Sequence, residues 1–291
     1  MKTLPKSKNF LGIEKKYSSY ENSEIVIVSA PYEKTVSYGK GTKNGPKEIL
    51  KASHYVEFYD EETRRELCFE KGIATLPELS FGKLTPKKSL EKIYKSVKEN
   101  LGNGKFVVTL GGEHTISQAP IKAFAERFEN ISVLQFDAHS DLRDTYEGTK
   151  YSHACIMARV AEFTKNIVQV GIRAQDKSEA EFIAKNKIAT FYARDIYNSK
   201  NWMKRALEKL NENVYITFDV DAFDPSLLPA TGTPEPGGLF WDETMNFLKL
   251  VGTKRNIVGF DVVELAPSKA HLSSNFIAAK LVYKILNYAF L

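Results

Sequence analysis

Six short runs of this chain are apolar almost without interruption, and they constrain the fold more than any other feature. They are EIVIVSA (24–30), KFVVTL (105–110), ISVLQF (131–136), NIVQVG (166–171), NVYITF (213–218) and RNIVGFDVV (255–263). A strand with one wet face alternates apolar and polar residues. A strand covered on both faces does not, and that is the pattern of a parallel sheet between two helical layers. The segments between the runs supply the helices. TPKKSLEKIYKSVKENLG offers Thr85 as N-cap, Pro86 in the first turn and Gly102 at the end, with Leu90, Ile93, Tyr94 and Val97 on one face. Residues 201–213 and 273–290 carry similar helical periodicity. The expectation is an α/β, three-layer α/β/α fold with a central, mostly parallel sheet, in a single domain over residues 1–291 with 1–23 as an N-terminal extension.

Several function classes are disfavoured by composition. A net charge of +5 over 291 residues, with short basic clusters diluted by acids, gives no basic stripe with interleaved aromatics, so no nucleic-acid partner is expected. No run reaches the roughly 18 apolar residues of a membrane span, so no membrane role is expected. The only two cysteines, Cys68 and Cys155, are distant in sequence and suggest a reducing, cytoplasmic setting rather than a disulfide framework.

Ligands of α/β sheets gather beyond the carboxyl ends of the strands. Four of the six runs end there in polar residues: GGEH reaches His114, DAHSD carries Asp137, His139 and Asp141, DVD carries Asp219 and Asp221, and the last run meets Glu264. In extended chain, residues i, i+2 and i+4 share a side, so Asp137, His139 and Asp141 are expected to converge, with Asp219 and Asp221 beside them. Any one Asp-x-Asp is equally a turn signal. Four such strand ends together point to a metal site: four crowded carboxylates repel unless cations neutralise them, and two divalent ions balance the formal charge. Oxygen-rich ligation with two imidazoles suits a hard or borderline ion such as Mn²⁺.

The motifs GGEH (111–114), FDAHSD (136–141), FDVDAFDP (218–225), TGTPEPGGL (231–239) and GFDVVELAP (259–267) together resemble the ureohydrolase family of arginases, agmatinases and formiminoglutamases. The loop YGKGTKNGPKEILKAS (38–53) resembles that family's Gly-rich substrate-side segment. The resemblance spans about residues 24–290. It implies an eight-stranded sheet, two Mn²⁺ per subunit and a homo-oligomer, trimer or hexamer. One ion is implied to bind His114, Asp137, Asp141 and Asp219, the other Asp137, His139, Asp219 and Asp221, with Asp137 and Asp219 bridging. A hydroxide shared by the ions would attack the guanidinium carbon, Asp141 would hydrogen-bond it, and Glu264 would pair with the guanidinium. His153, in KYSHACIM, falls at the family's proton-shuttle position. Gly232, Thr233, Glu235 and Gly237 would form the wall of the site, with Thr233 a candidate substrate contact. His54 and His271 match no motif.

The substrate's tail is less determined. Arginases typically carry an Asn two residues after the last Asp of the DAHxD motif, and here that position is Arg143. Arg143 suits either a surface salt bridge, the favoured reading, or a substrate carboxylate as in formiminoglutamate. Asp144 and Glu147 suit a distal amine, and the segment resembles the agmatinase branch. The expected substrate is therefore a small cationic guanidino compound: agmatine, hydrolysed to putrescine and urea, with N1-aminopropylagmatine second and arginine or formiminoglutamate behind. A non-catalytic metal- or polyamine-binding relative and a zinc amidohydrolase of the deacetylase type are the readings from outside the ureohydrolases.

Overall fold

The computed structural model describes residues 1–291. The apolar runs become strands within a residue or two of their expected limits. In chain order the strands are β1 (Ile25–Ala30), β2 (Ile73–Thr75), β3 (Phe106–Gly111), β4 (Ser132–Phe136), β5 (Ile167–Ile172), β6 (Ala189–Tyr192), β7 (Asn213–Asp219) and β8 (Asn256–Val263). They form one eight-stranded sheet in the order β2-β1-β3-β8-β7-β4-β5-β6. Every adjacent pair is parallel, so the sheet is wholly rather than mostly parallel.

Each central strand feeds two cores. Ile25, Ile27, Val108, Leu110, Leu134 and Phe136 point to one face, while Val26, Val28, Val107 and Val133 point to the other. The first face is covered by helices Gly45–Ser53, Trp241–Lys254 and Leu272–Ala289, the second by Pro86–Gly102, Gln118–Arg127 and Ile156–Val160. Burial on both faces is why these strands could not alternate in polarity.

One expectation about elements needs correction. The helix expected over 201–213 ends at Leu207, because the chain then turns and Asn213 already pairs with Asn256 in the sheet. Residues 1–23, expected as an N-terminal extension, pack onto the domain: Phe10 and Leu11 are buried in the core, and the Leu4 N–H donates to the Thr75 carbonyl on edge strand β2. The long C-terminal helix buries a lysine. Lys284 is 1% exposed, and its Nζ lies 2.8 Å from Asp60 Oδ2 and 2.7 Å from Glu62 Oε1, tying this helix to the loop before β2.

Candidate metal centre and active-site cleft

The site lies where the carboxyl ends of β3, β8, β7 and β4 stand side by side at the centre of the sheet. At the end of β3, two glycines let the chain turn into a crowded space. A Cβ on Gly112 would come within 2.0 Å of the Tyr32 carbonyl oxygen, and one on Gly111 within 2.5 Å of Val263. The Gly112 carbonyl accepts the Glu264 N–H at 2.9 Å, and a Glu264 oxygen accepts the His114 N–H at 2.5 Å, so the β3 and β8 ends lock each other.

His114 Nδ1 then faces three carboxylates: Asp141 at 3.0 Å, Asp137 at 3.1 Å and Asp219 at 3.4 Å. On the other side, His139 Nδ1 lies 2.9 Å from Asp221 and 3.6 Å from Asp137. Asp137 turns Oδ2 to His114 and Oδ1 to His139, so it spans two neighbouring ligand groups, His114–Asp137–Asp219 and Asp137–His139–Asp221. Asp219 belongs to the first group only; its Oδ1 accepts the Asp221 N–H at 2.8 Å.

The convergence of Asp137, His139 and Asp141 does not come from extended chain. β4 stops at Phe136, and Asp141 adopts a left-handed backbone with φ 52°. Glu264 does the same, with φ 63°. Carboxylates in this sparsely populated region persist only where the surroundings over-determine them, and functional sites are where they cluster.

The donor set fits divalent cations. All six side chains except His139 are buried, and His114 Nδ1 has no hydrogen-bond partner. Burial, then the Asp137 charge, pushes the Asp141 carboxyl up to about 7. Burial and the Asp221 and Asp137 charges hold Asp219 well above the usual carboxylate range. Burial opposes charge on His139, but Asp221 and Asp137 outweigh it and push the ring up to about 12. The cage thus seizes protons by the same negative field that would hold cations, and the two compete for the same atoms.

The outer contacts aim these ligands. His114 Nε2 lies 2.9 Å from Thr217 Oγ1, whose hydroxyl donates to Asp261 at 2.8 Å. Asp261 also accepts from Tyr215 and Ser117 at 2.7 and 2.9 Å. With its proton given to Asp261, Thr217 accepts from Nε2–H, which leaves Nδ1 bare toward the cage. Gln135 donates to Asp137 Oδ2 at 2.7 Å, and the Ala138 N–H to Asp221 Oδ1 at 2.9 Å. The Arg173 guanidinium reaches the carbonyls of Gly171, Asp221, Ala222, Phe223 and Glu235, stapling the 231–239 loop to the turn that carries Asp221.

Above the cage lies a small cleft lined by Val36, Ser37, His114, His139, Asp141, His153, Asp219, Asp221, Gly232, Thr233 and Glu264. Glu264, His153 and Thr233 therefore share one cleft. Burial holds the Glu264 carboxyl well above its usual range, and burial lowers the His153 imidazole. The 38–53 segment packs against the cleft wall, with the Gly39 N–H donating to the Gly232 carbonyl at 2.9 Å.

The expected tail contacts are placed elsewhere. Asp144 is 88% exposed and pairs with Arg159, and Glu147 sits exposed in a tight turn; neither lines the cleft. The reason is local: the chain after Leu142 leaves the site, and Arg159 draws Asp144 with it. Arg143 lies within 3.5 Å of Asp176 and 3.9 Å of Glu179 and covers the Tyr146 ring, the salt-bridge outcome. Glu235 Oε1 approaches His139 Nε2 only to 3.9 Å. His54 binds the Asn9 carbonyl, and His271 is exposed.

A sequence model of the arginase family matches residues 23–287. The chain belongs to the arginase family. Among its relatives, the N(1)-aminopropylagmatine ureohydrolase of Synechocystis sp. is 38% identical over 277 residues, covering 93% of this chain and 90% of the relative. The agmatinase of Bacillus anthracis is 36% identical, covering 94% of each chain. The crystal structure of the agmatine ureohydrolase of Thermoplasma volcanium superposes with a TM-score of 0.86 at 28% identity, over 100% of this chain and 94% of that one. The arginase-like fold is thus shared over the whole chain.

Proposed function

We propose that this arginase-family chain is a ureohydrolase that cleaves the guanidino group of agmatine or of its N1-aminopropyl derivative, releasing urea and an amine. The observation that carries this reading is the cleft lining: beside the candidate metal ligands it presents the carboxyl group of Glu264, and it contains no lysine or arginine. Such a wall suits a cationic substrate and offers no positively charged partner to an α-carboxylate. Arg143, the one candidate for that task, is engaged by Asp176 and Glu179. The agmatine reading follows the agmatinase relatives, and the longer-tailed reading follows the Synechocystis relative.

His114, Asp137, Asp141 and Asp219 would hold one divalent ion and Asp137, His139, Asp219 and Asp221 the other, with Mn²⁺ favoured by the ligand types. Bound there, such ions supply Lewis acidity and lower the cost of deprotonating water near neutral pH. The chain supplies the rest. Glu264 pairs with the planar guanidinium and fixes its carbon over the cage, turning a bimolecular encounter into a positioned one. Asp141 accepts a hydrogen bond from the attacking water. His153 delivers a proton to the amine nitrogen as its bond to carbon breaks, since an unprotonated amine leaves poorly.

The test is side-by-side urea or formamide release by Mn²⁺-reconstituted protein from agmatine, N1-aminopropylagmatine, arginine, guanidinobutyrate and formiminoglutamate. Preferential turnover of one of the first two is expected. Turnover of arginine or formiminoglutamate instead, or no product from any, overturns the proposal.

A further inference from the structure

Glu113 precedes His114 and takes no part in the cage. It is fully buried, yet no lysine or arginine pairs with it. Its oxygens are filled by four other donors. Oε2 accepts the Lys34 and Thr35 N–H groups at 2.5 and 2.7 Å, and Oε1 accepts the Thr35 and Thr115 hydroxyls, each at 2.7 Å. Backbone N–H groups can only donate, so Oε2 is an acceptor, and at Oε1 the two hydroxyls are the donors.

The consequence passes through Thr35. A hydroxyl has one proton, and that of Thr35 goes to Glu113. Thr35 Oγ1 also lies 3.2 Å from the His153 N–H and 3.3 Å from His153 Nδ1. Toward both it can only accept. The proton between Thr35 and the ring therefore belongs to the ring. Two neighbours fit this polarity. Thr115, 3.4 Å from Thr35 Oγ1, also gives its proton to Glu113. Ser152 Oγ, 3.5 Å from Nδ1, is a longer contact that accepts as well as donates.

We propose that Glu113, acting through the Thr35 hydroxyl, holds His153 as its Nδ1–H tautomer, so that Nε2 carries the lone pair used in the cleft. The inference rests on the reading of His153 as the group that moves a proton to the leaving amine. Nε2 takes up one proton from solvent to give an imidazolium, and that proton passes to the amine nitrogen as the carbon–nitrogen bond breaks. The neutral Nδ1–H ring is then restored. Glu113 and Thr35 are positioning residues, because neither lines the cleft.

Glu113→Gln tests the polarity directly. Its amide oxygen can face the two backbone N–H groups, which turns its NH₂ to Thr35. Thr35 must then accept from it and send its own proton to Nδ1, so His153 switches to the Nε2–H tautomer. Histidine ¹⁵N spectra of the full chain with Mg²⁺ added read this without turnover. The chain has five histidines, and His153 is assigned by the signal lost in His153→Gln. Wild type should be Nδ1–H, Glu113→Gln mainly Nε2–H, Thr35→Val mixed, and Thr35→Ser like wild type. In the Mn²⁺-loaded enzyme, kcat in Glu113→Gln should fall roughly 10- to 100-fold, with KM and bound metal unchanged and wild-type values in Thr35→Ser. An Nδ1–H ring persisting in folded Glu113→Gln and Thr35→Val overturns the relay. A tautomer switch in a protein that hydrolyses none of the guanidino compounds sustains the relay and removes the substrate reading instead.

Discussion

Replacing Thr217 by valine tests the metal-centre reading at a residue that touches no ion. The substitution keeps the side-chain shape and removes one hydroxyl. That hydroxyl stands 2.9 Å from His114 Nε2 and 2.8 Å from Asp261. Without it, the imidazole loses the acceptor that fixes Nε2–H, and the tautomer with a proton on Nδ1, pointing at the cage, becomes available. Loss of such an outer partner typically weakens a metal site by about 10- to 100-fold, which is about 1.4–2.7 kcal/mol. The fold should lose stability too, because a buried donor is left without its partner at a cost of about 1–3 kcal/mol. Asp261 keeps Tyr215 and Ser117, which limits the damage to one contact. Calorimetric titration of metal-free protein with Mn²⁺ gives the affinity, and Thr217→Ser, which restores the hydroxyl, is the control. Equal affinity in wild type and Thr217→Val would refute the claim that Thr217 presents His114 to the cage.

Other outcomes follow from the same geometry. His139→Ala or Asp219→Ala should abolish urea release and lower bound manganese, measured by turnover and elemental analysis; full activity in either would remove the ligand assignment. His153→Ala should retain metal while kcat falls by about 10²- to 10⁴-fold, checked by metal content beside steady-state rates. Asp144→Asn and Glu147→Gln should leave KM unchanged, since Asp144 faces Arg159 and neither residue lines the cleft; a raised KM in either would place the tail where the structure does not. Lys284→Met should destabilise the fold by about 3–5 kcal/mol at neutral pH, because it strands a buried carboxylate. Burial raises the Asp60 carboxyl, but Lys284 and Thr63 outweigh it and hold it below the usual range. A depressed folded-state value adds stability that is present above the ordinary carboxylate pKa of about 3.9 and is lost as pH falls through the lower folded value. The gap between wild type and variant, read by urea denaturation, should therefore narrow on acidification.

The strands were legible because burial on both faces leaves so little freedom in residue type. β2 and β6 escaped notice for the opposite reason: they have three and four residues, β2 lies on an edge, and β6 is only half-buried. The ligand set was legible as acids and histidines at strand ends, but its geometry was not. Alternation suggested an extended Asp137-His139-Asp141 segment, whereas a left-handed Asp141 delivers the third side chain. The residues that aim the site gave weaker signals. Thr217 and Asp261 are polar interruptions in otherwise apolar strands, a hint available in NVYITF and GFDVV. Glu113 was hidden inside GGEH, where His114 drew the attention. Thr35 and Arg173 had no local signature, because their roles depend on loops that meet only in three dimensions. Asp144 and Glu147 show the converse: suitable residue types near a motif, the first paired with Arg159 and the second exposed in a turn outside the cleft.

The strand order also dictates when the whole cage can exist. β8, the last strand in the chain, lies between β3 and β7. Until it inserts, β2-β1-β3 and β7-β4-β5-β6 are two half-sheets with open edges and no direct pairing between them. His114 belongs to the first half, and the five other candidate ligands belong to the second. During synthesis from the amino end, nearly the whole chain must emerge before the halves are joined. The Asp137–His139–Asp221 group lies wholly in the second half, but the group that includes His114 forms only once β8 has joined the two, so an ion held there would favour the chain whose last strand has closed the seam.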